Sequence, residues 1–409
     1  MVSSTKTNTS DISHVEQKLS VQCRNFAEDS IAIRSLDWDR SRFDIEFGLR
    51  NGTTYNSFII KGKKIAVIDT SHSKFESLWL DNLIQQVNPK EISYLISSHT
   101  EPDHSGLISD LLDLNPEITI VGSKIALKFI EDQIHRPFKR LEVKSGEFLD
   151  LGTNSESGIN HNVEFISAPN LHWPDTIFSF DHGTKVLYTC DAFGLHYCSN
   201  DLFDSNQKEI FKDFRFYYDC LMGPNARSVI QAIKKIDKLP SVNSIAVGHG
   251  PILQNHVEFW KNKYSEWSNN KNKGNEYVAV CYISDYGFCD RLSQALSHGI
   301  GKADAQVQLI DLRSSDQQEL TALITEAKAV VIPTWPINSD VDLQESIGTL
   351  FAALKPKQFT ATYDSFGGND EPIDSLANKL RELKQKEALS PLRVKESPNP
   401  IIYQRFEEA

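Results

Sequence analysis

Short runs of hydrophobic residues, separated by polar turns, dominate the first two thirds of the chain. Residues 55–60 and 64–69 flank a Lys-Gly-Lys turn and therefore predict a β-hairpin. Further strands are expected at 94–97, 118–122, 163–168, 177–180, 186–189 and 244–248. Three longer amphipathic stretches predict helices at 106–114, 124–133 and 226–239. This order favours sheets with helices on their outer faces.

The last third of the chain has a more regular rhythm of buried strand and amphipathic helix. Strands are predicted at 277–282, 305–311, 329–333 and 358–363. The helices predicted between and after them are 290–300, 316–326, 342–354 and 372–384. Strict alternation of this kind is typical of a small, doubly wound parallel sheet.

Two polar segments predict the limits of the domains. Residues 268–276 are rich in Asn and Lys and carry no hydrophobic anchor, so they are expected to be a linker. Residues 1–25 are polar and are expected to be a disordered lead-in. The predicted domains are therefore 26–267 and 277–409, and the fold class combines α+β with α/β.

Composition excludes several classes of partner. Lys and Arg number 43 against 55 Asp and Glu, and the net charge of −12 argues against nucleic acid and membrane partners. We find no apolar run long enough to cross a bilayer and no signal peptide pattern. The six cysteines form no C-x-x-C pair, which favours a reducing, cytoplasmic location.

The densest chemical pattern is a loop directly after the predicted strand 94–97. Because the chain leaves a strand end there, neighbouring side chains can converge instead of alternating across a sheet. Pro102 is expected to delay the next helix until after the loop. The loop holds four side chains able to bind a metal: His99, Glu101, Asp103 and His104.

Three more candidate ligands, His172, Asp191 and His249, each follow a strand-like run. Strand ends at one edge of a sheet face one cleft, so we expect these side chains to meet the first four. A single His beside a Pro is usually a packed residue, but the whole combination favours a metal site. His196, five positions after Asp191, is a candidate for a hydrogen bond to one of the metal ligands without binding metal itself.

The ligand types indicate which metal would bind. A set of four imidazoles and three carboxylates favours iron over a structural zinc ion, which is usually held by Cys ligands. A central carboxylate such as Asp191 can bridge two ions held about 3.5–4 Å apart, as in two-metal sites.

Three loops after predicted strands of the last third form a candidate flavin site. Backbone N–H groups at a helix start suit a phosphate, and such crevices bind ligands in doubly wound folds. No G-x-G-x-x-G follows a strand, so a mononucleotide, FMN, is favoured over a dinucleotide. The candidate residues are Ser284, Asp285, Tyr286, Gly287, Phe288, Cys289, Pro333, Thr334, Trp335, Pro336, Ile337, Asn338, Ser365, Phe366, Gly367 and Gly368.

Taken together, the two halves of the chain resemble the flavodiiron proteins, or A-type flavoproteins, beyond the first 25 or so residues. The resemblance implies a metallo-β-lactamase-like αββα diiron domain followed by a flavodoxin-like FMN domain. It also implies that one iron binds His99, Glu101 and His172, and that the other binds Asp103, His104 and His249. Asp191 would bridge them. Zinc hydrolases of the same fold usually carry His where Glu101 stands.

The resemblance further implies function and partners. The family reduces dioxygen to water or nitric oxide to nitrous oxide, using two Fe ions and FMN, in head-to-tail homodimers supplied by an electron donor protein or a flavin reductase domain. Residues 35–40 and 285–287 look most like the photosynthetic branch, which adds a C-terminal NAD(P)H:flavin oxidoreductase domain. This chain stops at Ala409, so we expect the core without that domain.

One departure and three alternatives stay open. Asp285, Phe288 and Cys289 stand in a loop that flavodoxins make rich in Ser and Thr, and a carboxylate repels a phosphate, which disfavours tight retention of FMN. The favoured interpretation is dioxygen reduction. Its alternatives are nitric oxide reduction, a binuclear zinc hydrolase in which metal-bound hydroxide attacks an ester or amide, and an inactive partner subunit.

Overall fold

Two β-sheets face each other in the first part of the molecule, and their inner side chains form one continuous core. The computed structural model describes residues 19–43, 47–271, 276–283, 289–303, 305–313, 315, 317–335, 341–364, 373–394 and 400–409. Phe58 of the first sheet packs against Tyr188 of the second, with ring centroids 5.3 Å apart. Ile68 and Phe165, one from each sheet, are buried in the same cluster.

The first sheet is mixed and runs in the order β1-β2-β5-β6-β7-β8-β9. The strands from β1 to β6 pair antiparallel and those from β6 to β9 pair parallel. The β5–β6 pair is the predicted hairpin. A separate two-stranded ribbon is formed by β3 and β4. The strands are β1 Leu19–Ala27, β2 Ser30–Asp37, β3 Arg42–Phe43, β4 Phe47–Gly48, β5 Thr53–Lys61, β6 Ile65–Ile68, β7 Ile92–Ile96, β8 Thr119–Gly122 and β9 Lys139–Glu142.

The second sheet runs in sequence order, with antiparallel pairs except for the parallel pair β13–β14. Because β13 and β14 are parallel neighbours, their carboxyl ends lie side by side. The strands are β10 Phe148–Thr153, β11 Asn160–Ser167, β12 Ile177–Asp181, β13 Val186–Cys190 and β14 Ser244–Val247.

Helices cover the outer face of each sheet. Trp79 and Leu83 pack α1 against the first sheet, and Phe214 packs on Trp260 with ring centroids 4.5 Å apart over the second. The predicted αββα arrangement is confirmed. The helices are α1 Glu76–Gln86, α2 Pro102–Ser105, α3 Ile108–Leu114, α4 Lys124–Ile134, α5 Gln207–Tyr217, α6 Ala226–Ile236 and α7 Val257–Lys271.

The lead-in predicted to reach residue 25 gives way to strand β1 at Leu19. Leu19, Val21 and Cys23 pack from one side of β1 against the core of the first sheet. The prediction was wrong for these residues because a strand buried on one face needs only every second position to be apolar.

The loop with the first four candidate ligands also differs from expectation. Pro102 does not delay the helix but opens α2, in which Asp103 and His104 lie. Proline is favoured at the first helical position, where its missing N–H would have no partner in any case. The short helix brings these two side chains to the same end of the sheets as His99.

The last third forms a parallel sheet in the order β16-β15-β17-β18-β19, flanked by helices. Counted within this sheet the order is 2-1-3-4-5, which is the flavodoxin-like order, and the prediction is confirmed. The elements are β15 Tyr277–Tyr282, α8 Cys289–Lys302, β16 Gln306–Asp311, α9 Gln317–Glu326, β17 Ala329–Pro333, α10 Val341–Ala353, β18 Phe359–Tyr363, α11 Ile373–Glu382, β19 Lys386–Glu387 and α12 Pro400–Glu408.

The two parts of the chain contact each other directly. Helix α7 continues to Lys271, into the segment predicted as a linker, and Ser268 is buried there with its hydroxyl 2.8 Å from that of Tyr218. The Arg227 guanidinium lies 3.9 Å from the centroid of the Tyr277 ring across the interface. Among the described residues, none of the helices is both long and apolar enough to cross a membrane.

Candidate metal centre

All seven candidate metal ligands lie together at one edge of the two facing sheets. The first four follow β7, Asp191 follows β13 directly, and His249 follows β14. His172 comes from the connection between β11 and β12. We call this set the metal-site cluster: His99, Glu101, Asp103, His104, His172, Asp191 and His249.

One group within the cluster surrounds the Oδ2 atom of Asp191. His172 Nε2 lies 3.2 Å from that oxygen and 3.1 Å from Glu101 Oε2. His99 Nε2 lies 3.5 Å from the same Asp191 oxygen and 3.3 Å from Glu101 Oε2. Two imidazoles and two carboxylates thus face one small volume.

The second group surrounds the other carboxylate oxygen, Oδ1 of Asp191. His104 Nε2 and His249 Nε2 lie 3.0 and 3.1 Å from it. Asp103 closes the group, with its oxygens 3.5 Å from His104 Nε2 and 3.4 Å from His249 Nε2. Asp191 therefore presents one oxygen to each group.

Several buried atoms of the cluster make no hydrogen bond with the described residues. They include both carboxylate oxygens of Asp103 and Nε2 of His249. Buried polar atoms without a hydrogen bond are uncommon in proteins, and bound metal ions would satisfy these atoms. The donor set of imidazole nitrogens and carboxylate oxygens therefore fits two metal ions.

The electrostatics of the metal-free cluster point the same way. Burial lowers the pKa of His104 and of His172, but the surrounding carboxylates outweigh burial. The pKa of His104 rises to about 9, through Asp103 and Asp191, and that of His172 to about 10, through Asp191 and Glu101. Protons on these imidazoles balance the carboxylate charge, and metal ions would take their place.

Two groups behind the cluster orient its imidazoles. Asp175, fully buried, has Oδ1 3.1 Å from His99 Nδ1, and its Oδ2 accepts a hydrogen bond from the Thr100 N–H at 2.8 Å. The carbonyl of Thr54 lies 2.6 Å from His249 Nδ1. Each contact engages Nδ1, so that Nε2 of the same ring faces the cluster. Groups that support metal-binding histidines orient the ring in this way.

Neither supporting group was predicted from the sequence. Thr54 acts through its backbone, which no sequence pattern reveals. Asp175 did carry a signal, since it is an acid three positions after a candidate ligand, His172.

The expected helper, His196, also lies beside the cluster. Its ring centroid is 4.8 Å from that of His249, but its Nδ1 is 2.8 Å from the Thr53 hydroxyl and not from a candidate ligand. Burial, followed by the proximity of His249, holds the pKa of His196 well below its usual value. The side chain is therefore a neutral neighbour of the cluster.

Most of the candidate flavin residues lie outside the described residues. Pro333 ends β17, Thr334 is buried with its N–H donating to the Tyr363 carbonyl at 2.9 Å, and Cys289 opens α8. Trp335 packs against Phe351, with ring centroids 6.0 Å apart. The candidates outside the described residues are Ser284, Asp285, Tyr286, Gly287, Phe288, Pro336, Ile337, Asn338, Ser365, Phe366, Gly367 and Gly368.

The sequence is similar to a known protein family and to several named proteins. The model of the ODP family beta lactamase matches residues 53–250. The putative diflavin flavoprotein A 3 of Nostoc sp. strain PCC 7120 is 52% identical over 96% of this chain and 68% of its own length. Diflavin flavoprotein A 1 of Synechocystis sp. is 49% identical over 96% of this chain and 68% of its own length.

Solved structures resemble both halves of the chain together. The metal-soaked Flv1 flavodiiron core from Synechocystis sp. PCC6803 is 30% identical, with a TM-score of 0.77, and covers 95% of this chain and 96% of that one. Rubredoxin oxygen:oxidoreductase from Desulfovibrio gigas shares the fold, with 24% identity and a TM-score of 0.56 over 94% of this chain and 96% of that one.

Proposed function

This chain belongs to the diflavin flavoprotein A family of flavodiiron proteins, and from that membership we propose that it reduces dioxygen to water. Flavodiiron proteins are oxidoreductases whose cofactors are FMN and a non-haem diiron centre. The proposal is that the metal-site cluster holds two Fe ions and that FMN, bound by the loops of the flavodoxin-like sheet, supplies electrons.

The observation that carries the proposal is the division of the cluster by Asp191. In the proposed assignment, His99, Glu101 and His172 on the Oδ2 side would hold one iron. Asp103, His104 and His249 on the Oδ1 side would hold the other, and Asp191 would serve both. Bound iron and FMN would supply the electrons that reduction requires.

The ligands of the proposed centre differ in exposure. The side chains of Glu101 and His172 are 14% and 12% exposed, whereas those of His99, His104, His249 and Asp191 are fully buried. The cluster is therefore most exposed on the Glu101–His172 side, and the proposal is that dioxygen approaches from there.

The carboxylates set the charge of the centre. Asp191 keeps a pKa well below its usual value, because His104, His172 and His249 outweigh its burial. It therefore stays anionic and can hold a divalent ion on each oxygen. Glu101 also stays anionic, since His172 and His99 lower its pKa despite burial.

An oxygen electrode tests the proposed reaction. Chain loaded with Fe and FMN, and reduced by an artificial donor, should consume dioxygen without releasing peroxide. The Asp191→Asn variant should not, whereas Ser228→Ala, on α6 and outside the cluster, should match the wild type. Nitric oxide consumption without dioxygen consumption would favour the nitric oxide reductase, and zinc without flavin in the purified protein would favour the hydrolase.

The proposed electron donor is a reduced protein or a flavin reductase domain. The sequence contains no G-x-G-x-x-G, so NADH or NADPH alone should drive little oxygen uptake by this chain. Fast uptake with either nucleotide, and no added reductase or free flavin, would contradict this part of the proposal.

A head-to-tail homodimer is the proposed assembly, with the FMN of one copy serving the irons of the other. Mixing a chain that cannot bind iron with one that cannot bind FMN tests it directly. Recovery of oxygen uptake in the mixed dimer supports transfer between copies. No recovery, with mixed dimers present, would show that electrons pass within one chain.

A further inference from the structure

His172 lies in a long connection of the second sheet, away from the helix and strand ends that carry most of the metal-site cluster. It lies within residues 168–176, the connection between β11 and β12, which belongs to no strand or helix. By contrast, His104 lies in α2, and His249 is backed by the Thr54 carbonyl at 2.6 Å. The loop of His172 must therefore be held by contacts other than regular secondary structure.

Asp175 holds this loop to the first sheet through His99 and Thr100, and Asn170 holds its other end. Asn170 donates its backbone N–H to the Trp173 carbonyl at 2.8 Å, which closes a tight turn around His172. Its side-chain amide donates to the carbonyl of Leu309 at 3.0 Å, and the Tyr282 hydroxyl donates back to its side-chain oxygen at 3.3 Å. Only 6% of Asn170 is exposed, so water does not compete for these bonds.

Both partners of the Asn170 side chain belong to the flavodoxin-like sheet. Tyr282 ends β15, and Leu309 lies on β16, which is the edge strand of that sheet. The backbone of Asn170 is left-handed, with φ of 65°, a conformation that Asn adopts more readily than most residues. An asparagine suits this position in two ways. It tolerates the left-handed backbone, and its side-chain amide both donates and accepts a hydrogen bond.

We propose that Asn170 is a positioning residue through which the flavodoxin-like domain holds His172 in the metal centre of the same chain. The inference rests on the assignment of His172 as an iron ligand in the proposed function. It adds that the two metal positions depend unequally on the second domain. Only the position beside His172 is tied to it by these hydrogen bonds.

The experiment measures iron binding, not activity. Metal-free full-length chain is titrated with Fe(II) without oxygen, and ⁵⁷Fe Mössbauer spectra distinguish one bound ion from a pair. Asn170→Gly keeps the left-handed backbone and removes the amide, and Tyr282→Phe removes only the hydroxyl. The control is Ser228→Ala, which loses a contact at the same interface, to Gln308, that does not reach the His172 loop.

We expect Asn170→Gly to weaken one of the two irons roughly 10–100-fold, the range for groups that support metal ligands. The other iron should keep its affinity. Tyr282→Phe should act in the same direction but less strongly, and Ser228→Ala should bind both irons as the wild type does. Unchanged binding in Asn170→Gly, or equal weakening of both irons, would overturn the proposal.

His172→Ala separates this inference from the proposed function. If His172→Ala binds two irons at wild-type affinity, the ligand assignment itself fails. If His172→Ala loses one iron while Asn170→Gly and Tyr282→Phe lose none, the assignment stands and the role of Asn170 is wrong.

Discussion

Two clusters of histidine and carboxylate are buried at opposite strand ends of the second sheet, and only one of them fits a metal. The metal-site cluster lies where β13 and β14 end. The other, which we call the His161 cluster, joins His161 to Asp181 and Asp29, with Thr184 and Ser157 around them. Both clusters contain the same types of side chain.

The clusters differ in whether their polar atoms are satisfied. In the His161 cluster, Nδ1 lies 2.8 Å from Asp181 Oδ2 and Nε2 lies 3.1 Å from Asp29 Oδ2. Asp181 also accepts from the Thr184 hydroxyl at 2.7 Å. In the metal-site cluster, both oxygens of Asp103 make no hydrogen bond with the described residues. Unsatisfied acceptors, and not residue types, therefore separate these two clusters.

The largest expected effect comes from the same substitution in each cluster. Asp191→Asn should reduce bound iron from two ions per chain to none, because an amide cannot give each metal an anionic oxygen. Asp181→Asn should keep both irons but lower the free energy of unfolding by about 1–3 kcal/mol, the usual loss for a disturbed buried hydrogen bond. Iron analysis and denaturant unfolding measure the two results. Two irons at wild-type affinity in Asp191→Asn would disprove the bridge.

Asp175→Asn tests the feature that the two clusters share, a carboxylate behind an imidazole. Asp175 faces Nδ1 of His99 as Asp181 faces Nδ1 of His161. Because such a group fixes the ring and its basicity, its loss should weaken iron binding roughly 10–100-fold. Anaerobic Fe(II) titration checks this, with Asp181→Asn as the matched control. Equal effects of the two variants would mean that Asp175 supports the fold and not the metal.

A smaller change in metal preference is expected for Glu101→His. This substitution recreates the ligand pattern common in zinc hydrolases and replaces a hard oxygen ligand by an imidazole, so the ratio of iron to zinc should fall. The ratio is measured after loading from an equimolar mixture of both metals. If it does not change, Glu101 is not the residue that favours iron.

The smallest effect is a pH dependence of stability at the His161 cluster. Burial lowers the pKa of His161, but Asp181 and Asp29 outweigh it and raise that pKa above its usual value. The protonated His161 therefore stabilises the fold fully below the unfolded pKa of about 6.5, and this contribution is lost as pH rises through the folded pKa. The stability difference between wild type and His161→Gln should be larger at pH 5.5 than at pH 9 in denaturant unfolding. A difference that grows with pH would contradict the assignment.

Much of the fold could be predicted because both domains are marked by periodicity. The β15 and β17 strands have the bounds that the hydrophobic runs predict, Tyr277–Tyr282 and Ala329–Pro333. Strand β1 was missed because its apolar positions alternate with polar ones. Helix α7 was not predicted, and its polar last residues were taken for part of a linker. The short helix at Pro102 was missed because proline was taken as a breaker and not as a first helical residue.

The candidate site could be predicted only in part. Metal-binding side chains at strand ends are recognisable by type and spacing, and the structure brings all seven together. The groups behind them are much harder to recognise. Asp175 is marked only by its spacing from His172, since it lies 76 positions from His99, and Asn170 lies 139 positions from Leu309. Such contacts arise only from tertiary packing, and residues such as Asn and Thr are too common in turns to signal them.

Each half of the metal-site cluster draws on both sheets, and this determines when metal can enter. The first sheet contributes His99 and Glu101 to one half and Asp103 and His104 to the other, while Asp191 of the second sheet serves both. A newly made chain therefore has no complete site until the sheets have packed together. Under the proposed assignment, both irons would then reach full affinity only after the two sheets have packed together.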